Sequence, residues 1–344
     1  MPTLPLSVLD VSPIAAGSSA GEALRRTIDL AQHVDALGFA RYWLAEHHNA
    51  GGLACSAPEI MIGQVAAATS RIRVGSGGIM LPNHSPLKVA ELFRVLEALF
   101  PGRIDLGLGR APGTDPKTAA ALRRLTKLPP GAARTGDDFP EQAAELFGYL
   151  ADDGPPREPY AGGIRAAPLG TGSPATWILG STDFGARYAA EQGLPFAFAQ
   201  HINPADAIAV LRTYRATFRP SPTLREPRSI LATFALCAGS AEEAKDFERG
   251  AALSTLRFAR GMRDYPHPSP EEARAFEWDE EATNVVRAFG TRGFIGTEEE
   301  LPERLLASAR ECQADELMLM SNCHDHAARK ESYTRLARAF GLVQ

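Results

Sequence analysis

The stretch Pro101-Gly102-Arg103-Ile104-Asp105-Leu106-Gly107-Leu108-Gly109-Arg110-Ala111-Pro112-Gly113 decides the fold. Its centre is an apolar run of strand length interrupted by one charged residue, Asp105, whereas a strand with one wet face would alternate apolar and polar side chains. So few polar interruptions mean burial on both faces, the condition of a parallel strand covered by its own crossover helices. Proline and glycine punctuate the run at both ends.

Outward from this stretch, apolar runs of similar length recur at 6–11, 40–45, 72–77, 176–180, 196–199, 229–237 and 316–320, which with 104–109 makes eight. Segments of helical period separate them. Ala23, Leu24, Thr27, Ile28, Ala31, Val34 and Leu37 fall on one stripe, and Gly38 ends that helix. The alternation predicts an α/β protein with a parallel sheet, and eight such units close naturally into a (β/α)8 TIM barrel. A chain of 344 residues then reads as one barrel domain over 1–344, because such barrels often run this long. An open doubly wound sheet shares the alternation, but its dinucleotide fingerprint needs a spacing that Gly107-x-Gly109-x-x-x-Gly113 lacks.

Three stretches rich in Pro and Gly interrupt the rhythm, at 111–137, 152–174 and 261–281. Each adjoins a strand where a barrel builds its C-terminal face, so 111–137 and 261–281 read as long insertions that form lids over a site. The stretch 152–174 reads equally well as a solvated loop.

Composition removes several function classes. Lys and Arg total 36 against 41 Asp and Glu, a net charge of −5, and the cations are scattered, so no basic stripe exists to grip nucleic acid. No run of 18 apolar residues occurs and no basic segment precedes an apolar one at the N-terminus, which leads us to expect a soluble cytoplasmic protein without a membrane partner. The 4 cysteines include no C-x-x-C pair, so buried thiols are expected rather than disulfides or a metal site.

In a barrel, functional groups gather where strands end. The second run ends in Trp43-Leu44-Ala45-Glu46-His47-His48-Asn49, adjacent titratable groups suited to proton chemistry, to a structural pair or to metal ligation. The third ends in Gly75-Ser76-Gly77-Gly78, bare backbone that a flat ligand could approach, or a tight turn. Arg110, just past the fourth, is placed to fork onto a phosphate, unless it is an ordinary loop arginine. After the fifth, Gly180-Ser181-Thr182-Asp183 starts a helix whose free N–H groups form an anion site, although these are also ordinary capping residues. Arg110 and Ser181 would stand on adjacent strand ends, the outline of a phosphate site.

The motifs Ala45-Glu46-His47-His48, Gly77-Gly78 before Met80-Leu81-Pro82-x-His84-x-Pro86, Gly102-Arg103-x-x-Leu106-Gly107-Leu108-Gly109-Arg110, and Leu179-Gly180-Ser181 together resemble the bacterial luciferase-like flavin monooxygenases. The resemblance runs over most of the chain. It implies a barrel that binds reduced FMN and uses dioxygen to oxidise a small organic, aldehyde-like substrate. The FMN phosphate would be held by Arg110 with Ser181 and the backbone of Gly180, and the ring would rest on a cis peptide between Gly77 and Gly78. Gln200 and His201 would edge the ring pocket, and His47 would be the active-site histidine. The resemblance further implies a separate flavin reductase, no metal, and a homodimer built through the helices at about 58–70 and 86–100. Light-emitting members carry a reactive cysteine where this chain has Gly109, so light emission is not expected. Alternatives are an F420-dependent oxidoreductase on the same barrel, a flavin-binding protein without turnover, and a metal-dependent hydrolase using His47, His48, His324 and His326.

Overall fold

The computed structural model describes residues 4–123, 138–151, 163–289 and 293–343. Residues 124–137 of the first expected insertion and 152–162 of the loop stretch lie outside them. Ten strands occur in chain order: β1 (Leu6–Asp10), β2 (Arg41–Leu44), β3 (Arg73–Ser76), β4 (Ile79–Met80), β5 (Ile104–Gly109), β6 (Ala175–Gly180), β7 (Phe196–Ala199), β8 (Ser229–Ala238), β9 (Gly293–Thr297) and β10 (Glu316–Met320). All pairings between them are parallel, and β10 pairs with both β1 and β8, so the sheet closes on itself. Its eight staves are the eight expected runs. Helices α1 (Ala20–Ala36), α2 (Pro58–Ala68), α3 (Pro86–Leu99), α4 (Pro116–Leu122), α5 (Phe139–Leu150) and α6 (Asp183–Gln192) follow the early strands. The later ones are α7 (Ala207–Thr217), α8 (Ala241–Ala259), α9 (Pro270–Ala275), α10 (Glu280–Phe289), α11 (Leu301–Cys312) and α12 (His326–Ala339).

Two strands depart from the expectation of eight. The pair Ile79–Met80 forms β4, which takes up pairing with Leu108 and Gly109 where β3 has ended. Strand β9 lies along the upper half of β8, from Phe234 to Ala238, beyond the point where β7 stops. A two-residue strand has no periodicity to read, and β9 carries two glycines in five residues. The insertion 261–281 is also not plain loop: it contains α9 and leads into α10, and Leu253, Leu256, Ala273 and Ala282 form a small core of their own with α8.

Local sequence explains the outer layer. Ser19 caps α1 by accepting from the Glu22 N–H (3.2 Å), Ala23, Leu30, Ala31 and Val34 are buried on one face, and Gly38 at φ +85° lets the chain leave. Proline at the first turn opens α2, α3 and α11, where its missing N–H would have had no helical partner.

Alternation along each strand sorts side chains between two cores. Leu9, Val11, Trp43, Ala45, Trp177, Ala197, Ile230, Ala232 and Met318 fill the lumen, while Leu6, Val8, Leu44, Ile104, Leu106, Leu108, Phe196, Phe198, Leu317 and Leu319 face the helices. Trp43 and Trp177 meet edge to face at 5.5 Å across the centre. Above Asp105, the inward positions of β3 and β5 are glycines, with no room for a side chain at Gly77 or Gly107. A Cβ on Gly77 would lie 2.5 Å from Leu9 Cδ1, and one on Gly107 would lie 2.2 Å from the Ser76 carbonyl oxygen.

The lower end of the lumen is shut by charge. Arg41 pairs with Asp105 (2.6 Å) and Glu316 (3.0 Å), Arg73 also reaches Asp105 (2.6 Å), and Ser7 and Trp43 donate to the same carboxylates. Outside the wall, Asp10 is fully buried and accepts from Arg329 (2.8 Å), Thr27 (2.8 Å), the Ser12 N–H (2.9 Å) and the Tyr42 hydroxyl. Arg329 also donates to the Ser321 carbonyl at 2.6 Å, so this cluster ties β1, α1 and α12 together.

Candidate active site

With the lower end plugged, the accessible chemistry stands at the C-terminal strand ends. Alternation continues past β2: Ala45 faces the lumen, Glu46 turns away from it and His47 turns back. The Glu46 carboxylate is 1% exposed; Oε1 pairs with Nε2 of His48 (2.7 Å) and of His84 (2.9 Å), and Oε2 accepts from the Met80 N–H (2.9 Å). Burial alone would raise its pKa, but the bond and charge of His84, then the bonds from Met80 and His48, hold it below the usual carboxylate range. Burial likewise opposes charge on His84, and Glu46 more than offsets it, so the His84 pKa is raised. One carboxylate therefore ties the end of β2 to β4, and its bond to His48 links the two residues that flank His47.

His47 itself is bound differently from both neighbours. Its backbone N–H reaches the Cys55 carbonyl at 3.3 Å, and its ring Nδ1 is buried without a hydrogen-bond partner among the described residues. Burial, with a contribution from His201, pushes the imidazole down to about 4, so it is neutral at physiological pH.

The register Gly109↔Leu179 puts the next residues, Arg110 and Gly180, on adjacent strand ends. The Arg110 guanidinium lies 4.2 Å over the Phe184 ring and has no hydrogen bond or ion pair among the described residues. Thr182 caps α6 without a side-chain bond, so the first N–H groups of that helix lack an intrahelical or side-chain acceptor among the described residues. Asp183 in this turn is paired with Arg187, and Asn203 donates to the Ser181 carbonyl at 2.9 Å.

The peptide between Gly77 and Gly78 is cis. The protein's own packing requires Gly78, since a Cβ there would lie 2.7 Å from the Gly107 carbonyl oxygen, whereas one on Gly109 would lie 2.8 Å from Sδ of the flexible Met80 side chain. A cysteine at 109 would displace Met80.

Over the mouth, three loops are bonded together. Ile14 N–H donates to Gly52 O (2.9 Å), Gly52 N–H to Arg263 O (3.1 Å), His267 N–H to Ile14 O (2.8 Å) and Ala16 N–H to His267 O (2.9 Å). The first part of 261–281 is thus fastened to the loops after β1 and β2.

The remaining expected residues have these partners. Gln200 donates to Ser308 of α11 (3.2 Å), which turns its side chain toward the outer layer, while His201 contacts the Ala232 carbonyl (3.1 Å). His324 bonds Ala16 O (2.9 Å) and His326 pairs with Asp29 (2.7 Å), so neither joins His47 and His48 in a ligand set. All four cysteines are buried free thiols. No helix among the described residues is long and apolar enough to cross a membrane. Sequence reading passed over Phe184 and the role of His84. The latter had a signal, since a buried Glu beside one histidine still has acceptor capacity for another.

Comparison with known proteins agrees with this geometry. The chain is 38% identical over 333 residues to a luciferase-like monooxygenase of Escherichia coli strain K12, covering 96% of this chain and 95% of that one. The solved structure of apo-MsnO8 superposes with a TM-score of 0.88 at 36% identity, covering 99% of both chains. The oxygenating constituent of 3,6-diketocamphane monooxygenase from Pseudomonas putida, solved in complex with FMN, shares the fold with a TM-score of 0.68 at 18% identity, again over 99% of both chains. The profile of the family described as luciferase-like monooxygenase matches residues 4–316, and with the closed parallel barrel it establishes that the chain belongs to that family.

Proposed function

We propose that this chain is a non-luminescent, FMN-dependent monooxygenase that uses reduced FMN from a separate reductase, with dioxygen, to oxidise a small organic, aldehyde-like molecule. The observation that carries the reading is the Arg110 guanidinium, without an acceptor among the described residues, beside a helix start with unspent N–H groups. A phosphate monoester supplies the acceptors that both lack. Arg110, Ser181 and the Gly180 backbone would hold it, and Gly77 and Gly78 would offer the ring a wall without side chains.

Reduced flavin supplies the electrons that activate dioxygen. The chain's own contribution is positional. His47 presents a neutral imidazole, competent to accept a proton, on a backbone fastened by Glu46 and His48. The bonded loops 13–16, 50–54 and 263–268 keep water from the mouth, the lid role expected of 261–281. Val11, Leu53, Leu179 and Met320 give the upper lumen an apolar lining suited to a small organic substrate.

Anaerobic titration with reduced FMN and with reduced F420, followed by admission of oxygen, tests the reading. Binding of FMN and oxygen-dependent reoxidation support it; selective binding of F420 replaces it with the deazaflavin alternative. Arg110→Ala should weaken FMN binding by about tenfold or more, since a charge-assisted fork is worth roughly 1.5–3 kcal/mol. Unchanged affinity by fluorescence titration would remove Arg110 from the site.

The homodimer expectation has a surface to act on. Ile60 on α2 and Leu99 on α3 are each 64% exposed, and Val95 is exposed beside Leu99. We expect twice the chain mass by light scattering, and the monomer mass for Ile60→Asp combined with Leu99→Asp. A monomeric wild type at micromolar concentration would discard the dimer.

A further inference from the structure

We propose that Phe184 is the positioning residue of the phosphate site: its ring seats the Arg110 guanidinium and thereby sets the preference for phosphorylated flavin over the same flavin without phosphate. This rests on the FMN reading above. Phe184 is the second residue of α6, in the turn that carries the unspent N–H groups, and it is 37% exposed although large and apolar. Its ring is in turn fixed. It lies parallel to Tyr188, with centroids 6.4 Å and planes 2° apart, and meets Phe139 of α5 at 6.4 Å and 71°. Phe139 is buried and also packs against Tyr188 at 5.5 Å.

An aromatic face is the right partner for this arginine. A long side chain left free loses rotamer freedom when it grips a ligand, and seating it beforehand removes that cost from binding. A carboxylate would seat it too, but would occupy the N–H fork and have to be displaced by the phosphate. The ring meets the guanidinium through its face, so the in-plane donors stay available. A leucine could replace the packing against Tyr188 and Phe139 but not the attraction to the cation.

The experiment compares dissociation constants of FMN and riboflavin for the full chain and for Phe184→Leu and Phe184→Tyr, with thermal melts to verify folding. Phe184→Leu should raise the constant for FMN roughly three- to thirty-fold and leave riboflavin unchanged. Phe184→Tyr, which keeps the ring, should restore FMN binding. The proposal is overturned if Phe184→Leu keeps the wild-type ratio of the two constants, if it weakens both flavins equally, or if Phe184→Tyr fails to rescue. A wild-type chain that binds neither flavin overturns the FMN reading itself. A wild type that prefers FMN beside a leucine variant with the same preference overturns only the role of Phe184.

Discussion

Replacing His47 with alanine should lower turnover by about two to four orders of magnitude while leaving flavin affinity within a few-fold of wild type. The imidazole stands past the end of β2 with Nδ1 buried and unpartnered among the described residues, and the protein spends three hydrogen bonds on Glu46 to hold the backbone around it. Alanine removes the proton-handling group and disturbs none of those bonds. Burial holds the histidine near 4, so its neutral form is complete above about pH 5 and the rate should carry no His47 inflection near the ordinary imidazole value. Single-turnover rates with preloaded reduced flavin, measured from pH 5.5 to 8.5, read both expectations. Normal turnover by the variant would make His47 a structural residue.

Arg329→Ala should cost about 3–5 kcal/mol of stability, the range for breaking a buried ion pair from one side. The penalty arises because Asp10, wholly buried, would keep its charge with only Thr27, Tyr42 and the Ser12 N–H to satisfy it. Removing both charges, as Asp10→Asn with Arg329→Met, should recover part of the loss, since the orphaned carboxylate is then gone. Acid reports on the same group. Burial opposes ionisation of Asp10, but Arg329 and the hydrogen bonds prevail and its folded-state pKa lies below 3.8. A depressed carboxyl contributes stability that is present above the unfolded value and lost as pH falls through the folded one. Urea midpoints should therefore drop below about pH 4 in the wild type, and less steeply in Asp10→Asn. A cost under 1 kcal/mol for Arg329→Ala would mean that water reaches the site.

The fold was legible wherever burial on both faces left its mark on the chain. Ile104 to Leu108 and the other seven runs all became barrel staves, and Gly38 and Pro86 bounded helices as their backbone chemistry requires. Strands β4 and β9 escaped because one is too short for a period and the other leans on β8 alone, with Gly293 against Phe234 and Gly296 against Arg304 of α11. At the site, sequence located His47, Arg110 and Ser181 on strand ends, because strand ends are where a barrel places function. It could not foresee that Gln200 turns to Ser308, nor that Phe184 lies under Arg110, since both depend on rotamers set by helices distant in the chain. The bonds that fasten 263–268 over the mouth were likewise invisible: they run between backbones, and composition says nothing about them.

The seam between β3, β4 and β5 has a bearing on how such a protein changes over time. At Gly77, Gly78 and Gly107 a single added carbon would lie 2.2–2.7 Å from neighbouring atoms, so these positions admit almost no variation. A wall that accepts no side chains cannot be retuned. New specificity must then be written on the opposite arc, in β8, β10 and the loops above them, while this side stays as it is. Diversification is steered by what the backbone forbids, and a lineage can exchange substrates repeatedly without renegotiating this side of the barrel.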